Sequence, residues 1–133
     1  MKRTGFLKLW SIAVGGMDAS TGLLLVFFPA SVLAMLGIDQ PSADALVFLS
    51  WIGVFVMAVG LSYGLALGKR RSRGETVWMV TSLVRILVAV FLTFQIIGES
   101  MAMAWMLVAV ADCVVALVQI AVLRAGWWKE PSR

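Results

Sequence analysis

Asp18, Arg85 and Asp112 are the residues to weigh first, because each falls near the middle of a long apolar run. Arg85 interrupts TVWMVTSLVRILVAVFLTFQII, the 22 residues Thr76–Ile97. A helix of that length spans about 30 Å of hydrocarbon at about 1.5 Å per residue. A guanidinium at such a depth costs at least a few kcal/mol if it faces lipid. The two aspartates lie within about one helical turn of it in depth, so the three are expected to meet in the interior. Two carboxylates can satisfy a guanidinium's five donors, in part as a fork. Such a cluster has two uses. It can lock helix register and orientation and do nothing else, or it can form a proton- or cation-linked site. A third reading is a ligand site between helices, for a quinone or a lipid, with Trp51, Tyr63, Trp105 and Gln119 as the lining.

The rest of the composition removes other chemistries. Of 133 residues, 62% are hydrophobic and 14% charged, whereas soluble domains are nearer a quarter charged. The chain reads as one small integral membrane domain with no soluble domain left over. It has no histidine, which excludes histidine-bound metals, histidine-ligated haem and histidine acid–base catalysis. The single Cys113 lies within an apolar run and has no intrachain partner. Neither a nucleophile elbow, a metalloprotease helix, a phosphate-cradling glycine loop nor a CxxC pair is present. We therefore expect no catalytic residues, no metal and no resident cofactor. The net charge of +4 reads as topogenic rather than as a nucleic-acid surface.

The elements that must position the three charges are four spans, roughly Phe6–Phe28, Ala43–Leu67, Thr76–Ile97 and Met101–Leu123. The basic start could be taken for a signal peptide. The length of the first run and Asp18 in its middle favour a retained helix. Pro29 ends that span, and Ala30–Leu36 is a short apolar segment, too short to cross, read as an interfacial helix closed by Gly37. Ser42 or Asp44 can cap the second span, and Ser100 the fourth. Lys69–Glu75 reads as a tight basic loop. Lys2, Arg3 and Lys8, then Lys69, Arg70, Arg71 and Arg73, then Arg124, Lys129 and Arg133 account for every cation except Arg85. The opposite loops carry only Asp39, Asp44 and Glu99. The positive-inside rule then places both termini in the cytoplasm. The expected fold is an all-α, four-helix membrane bundle with both ends inside.

The first, second and fourth spans each carry one face of small or polar residues. Ser11, Gly15, Asp18 and Gly22 recur at gaps of 4, 3 and 4, as do Gly53, Met57, Gly60 and Gly64. Trp105, Ala109, Asp112, Ala116 and Gln119 recur at gaps of 4, 3, 4 and 3. Small residues let backbones approach, which is how helices associate in lipid. Gly15, Gly22, Gly53, Gly60, Gly64 and Gly68 are thus the expected packing glycines, within the chain or at a subunit interface. Trp10, Trp78, Trp127 and Trp128 read as belt residues at the headgroup level. The methionines read as gap-filling.

The basic start, the glycine-rich first span ending in LLLVFFP, the stretch WIGVFVMAVG (Trp51–Gly60) and the lone Arg85 resemble the small bacterial four-helix membrane proteins of the DoxX-like kind. That resemblance implies a membrane-anchoring or accessory subunit, in some cases linked to respiratory or redox partners; we expect it in the bacterial inner membrane, with other membrane subunits or further copies of itself as partners. Small multidrug exporters share the length and an acidic residue in the first span, but not Arg85 and Asp112. An ion-paired Asp18 would be a poor acceptor for cationic drugs.

Overall fold

The computed structural model describes residues 2–129, so Arg133 and its topogenic reading lie outside the described residues. The described residues are all-helical: α1 (Arg3–Phe27), α2 (Pro29–Met35), α3 (Ala43–Ser62), α4 (Arg71–Ile97) and α5 (Met106–Arg124). A 3₁₀ turn, Tyr63–Leu67, extends α3, and another, Met103–Trp105, leads into α5. Four stretches are long and apolar enough to cross a membrane: Arg3–Phe27, Ala43–Leu67, Arg71–Ile97 and Met103–Arg124. This is the make-up of a multi-pass membrane protein.

Local chemistry sets the helix ends. Pro29 has no N–H to continue α1, and it occupies the first turn of α2, where none is needed. Ser42 caps α3, its Oγ accepting from the Ala45 N–H at 3.3 Å. Three helices close with the same pair of backbone bonds. After α2, Gly37 N–H donates to Ala34 O and Ile38 N–H to Leu33 O, both at 3.0 Å. After α5, Gly126 N–H donates to Leu123 O at 3.0 Å and Trp127 N–H to Val122 O at 3.4 Å. This Schellman geometry needs a left-handed residue, and Gly37 (φ 68°) and Gly126 (φ 66°) supply it. After α4 the left-handed residue is Glu99 (φ 57°), one position beyond Gly98.

Two boundaries differ from the sequence reading. The helix of the third span starts at Arg71, so Arg71, Arg73 and Glu75 are helical and the basic loop shrinks to 68–70. Arginine and glutamate are good helix formers, and nothing in that stretch stops a helix except Gly68 before it and Gly74 within it. Ser100 does not cap the fourth span. Its Oγ bonds back to Gly98 O at 3.4 Å, while its N–H and that of Met101 both close onto Gln95 O.

The chain forms two compact units, one of Leu9–Gly64 and one of Met1–Lys8 with Leu65–Arg133, the latter described over 2–8 and 65–129. In the first, α1 and α3 run antiparallel and touch backbone to backbone. A Cβ built on Gly22 would lie 2.6 Å from Gly53 O, and one on Gly53 would lie 2.8 Å from Gly22 O. Seven residues along each helix the pattern repeats: a Cβ on Gly15 would lie 2.8 Å from Gly60 O, and one on Gly60 would lie 2.6 Å from Gly15 O. Each glycine thus turns a Cα–H towards its partner's carbonyl, a contact worth about 0.5–1 kcal/mol. Gly64 and Gly68 were expected on the same ridge, but they are not part of it. A Cβ at Gly64 would meet nothing, and one at Gly68 only Leu65 O at 3.4 Å. The helix tightens to 3₁₀ at Tyr63, which turns later residues off the face shared by Gly53 and Gly60. Along α3 itself only those two glycines are buried.

In the second unit α4 and α5 pack antiparallel. Trp128 lies over Gly74, where any Cβ would run into the indole, and it meets Trp78 edge to face with ring centroids 5.4 Å apart. Trp78 has no exposure and Trp128 is buried, so neither is the belt anchor the sequence suggested. Gly74 leaves the socket that takes Trp128 in.

The glycine contacts carry a test. Gly53→Leu should cost at least about 1–3 kcal/mol by overpacking. Gly16→Leu on the open face of α1 should not lower stability, because leucine is the better helix former and meets nothing there. Unfolding by denaturing detergent, followed by circular dichroism, reads both.

Candidate functional site: the Arg85–Asp112 pair

The middle of the α4–α5 pair holds a polar ladder in an otherwise apolar interface. Arg85 on α4 donates from Nη1 to Asp112 Oδ1 on α5, an ion pair as well as a hydrogen bond. Towards the N-terminus of α4, Gln119 Nε2 donates to Thr81 Oγ1 at 3.5 Å, and Gln119 Oε1 accepts from Ser82 Oγ at 3.4 Å. The two hydroxyls also bond back along their own helix, Thr81 to Val77 O at 2.8 Å and Ser82 to Trp78 O at 2.7 Å. Such back-bonding is how Ser and Thr satisfy themselves inside a helix.

Burial of the ladder is nearly complete. Arg85 is 4% exposed and Gln119 not at all, with Thr81 and Ser82 similarly enclosed. The Asp112 side chain keeps 16% exposure. Small side chains make room, since Ala89, Ala109 and Ala116 are buried on the same two helices. Because Thr81, Ser82 and Arg85 share one face of α4, and Asp112 and Gln119 one face of α5, a slip of one residue would turn every partner away. The arrangement fixes register by geometry as well as by charge.

Arg85 and Asp112, two of the three charges picked out in the sequence, form an ion pair. Asp18, on α1, is buried as well. The residues proposed as ligand lining scatter. Gln119 is part of the ladder. Tyr63 is buried, with its Cβ at the Gly15 position of α1. Trp105 is half-buried at the 3₁₀ turn before α5, and Trp51 is exposed between Phe48 and Phe55 on α3. An apolar groove of about 350 Å³ does lie between α4 and α5, and none of those four residues lines it. Its walls include Ala89, Thr93, Phe94, Met106, Ala109 and Cys113, and the Thr93 hydroxyl is already bonded to Ala89 O. Among the described residues no three metal-ligating side chains gather.

Sequence reasoning missed Thr81 and Ser82. The signal of Ser82 is present: Trp78, Ser82, Arg85, Ala89 and Leu92 recur at gaps of 4, 3, 4 and 3. The Gly74 socket for Trp128 has no such signal, since it joins residues more than fifty positions apart.

Removing one partner of a buried pair is far worse than removing both. Asp112→Ala should cost about 3–5 kcal/mol, whereas Arg85→Met with Asp112→Leu should recover much of that loss. A double-mutant cycle in detergent unfolding checks it, and simple additivity would contradict the lock.

No protein-family model, curated protein or solved structure matches the chain.

Proposed function

We propose that this chain is an accessory or scaffolding subunit of an assembly in the bacterial plasma membrane, with the Arg85–Asp112 pair serving to fix its helices. One observation carries the reading: the interior polar groups of the α4–α5 pair are enclosed and turned on one another. Such a ladder orders helices and leaves little with which to pass a solute. What the chain then offers to others is its outward helical surface. The resemblance to DoxX-like proteins points the same way. Both termini lie on the cytoplasmic side in this proposal, with α2 resting at the opposite interface, because the cations gather at one end of the spans.

Purification in mild detergent should bring down membrane partners at fixed stoichiometry, and Asp112→Asn should lower their yield. A preparation that contains this chain alone and still moves protons or cations in liposomes would overturn the proposal. That outcome belongs to the second reading, a proton- or cation-coupled carrier, which the residual exposure of Asp112 favours. In that case Asp18→Asn should abolish transport in protein that still folds.

Orientation has its own test. In a Cys113→Ser background, Ser100→Cys should react with an impermeant maleimide on intact cells. Lys69→Cys should react only after permeabilisation.

A further inference from the structure

Nine cations gather where α1 and α4 begin and α5 ends: Lys2, Arg3, Lys8, Lys69, Arg70, Arg71, Arg73, Arg124 and Lys129. Among the described residues Glu75 is the one carboxylate in the same stretches. None of the nine forms an ion pair among the described residues.

Two of them are nevertheless held in place, both by neutral partners. The Arg71 guanidinium donates from Nη1 to the Lys129 carbonyl at 3.3 Å and from Nη2 to Thr4 Oγ1 at 3.1 Å. The Arg3 guanidinium lies 5.9 Å above the Trp127 ring, which Phe6 meets edge-on at 5.4 Å. Thr4 follows Arg3 and Trp127 precedes Lys129 by two, so these contacts bring both guanidiniums to one locus. Two guanidiniums held at one locus, with no carboxylate among the described contacts there, attract an anion. Each guanidinium keeps donors in reserve, and Arg is suited to phosphate oxygens. At the surface of a membrane the abundant anion is the lipid phosphate, attracted by roughly a fivefold affinity gain per basic residue.

We propose that Arg3 and Arg71, framed by Thr4, Trp127 and the Lys129 carbonyl, form a binding site for the phosphate of an anionic phospholipid headgroup. The site depends only on the chain lying in a membrane, and holds whether or not the protein has protein partners. Trp127 would sit against the glycerol region, where indoles settle.

The test uses the whole chain in detergent, titrated with phosphatidylglycerol, with phosphatidylcholine and with soluble glycerol phosphate. Bound lipid is counted by native mass spectrometry and Trp fluorescence follows the site. Phosphatidylglycerol should remain bound where phosphatidylcholine does not. Arg3→Gln with Arg71→Gln should weaken it by about 25-fold, at about fivefold per charge. Lys69→Gln with Arg124→Gln removes the same charge elsewhere, and should weaken binding at least fivefold less. Equal retention of the two lipids, equal losses in the two double variants, or glycerol phosphate binding as well as the lipid would each overturn the proposal. If the first double variant does not fold, Arg3→Gln alone supplies the reading.

Discussion

A guanidinium in the middle of a hydrocarbon span cannot stand without a counter-charge, and the second unit of this protein is arranged around that requirement. Arg85 is satisfied in part by Asp112, one helix away. The pair alone would leave the two helices free to pivot about a single contact. Gln119 with Thr81 and Ser82 adds a second polar contact nearly two turns along α5. Two contacts on one line define both register and rotation. Alanines at 89, 109 and 116 then let the helices come close enough for short side chains to reach across.

The α1–α3 unit solves the same problem differently. Lipid tails are as apolar as leucine, so burying apolar surface gives helices no reason to associate. Here the attraction comes from backbone groups. The pairs Gly22–Gly53 and Gly15–Gly60 expose carbonyls and Cα–H groups that any larger side chain would separate. The spacing of seven on both helices keeps both contacts on one face. One unit is held by side-chain charge and polarity, the other by the absence of side chains.

What could be read from the sequence follows from this contrast. Four apolar runs, the Pro29 break, the Ser42 cap and the Gly37 stop are local signals, and each is found where the residues place it. Arg85 with Asp112 was legible because a buried charge demands a partner and only two acids lie at its depth. Gly15, Gly22, Gly53 and Gly60 were legible through their helical spacing. Gly64 and Gly68 shared that spacing yet fall off the ridge, because the turn at Tyr63 changes the period, and nothing in YGLAL announces a 3₁₀ helix. Trp78 and Trp128 misled for a related reason. A tryptophan near a span end has the composition of a belt residue, and only the Trp128 ring seated on Gly74 and against Trp78 shows that both are packed inside.

The distribution of charge joins these parts. One arginine lies among hydrocarbon with an acid beside it, while nine cations at one end of the spans have no acid partner among the described residues. The difference is dielectric. At the membrane surface, water and lipid phosphates can neutralise a cation, so an internal carboxylate adds little. At mid-span nothing outside the protein can do so, and the counter-charge must be built in. Among the described residues, Arg85, Asp112 and the nine cations are thereby accounted for by where their helices must sit and what they must sit beside. A chain whose charges serve placement in this way is suited to holding other membrane components in position, which is the role proposed for it here.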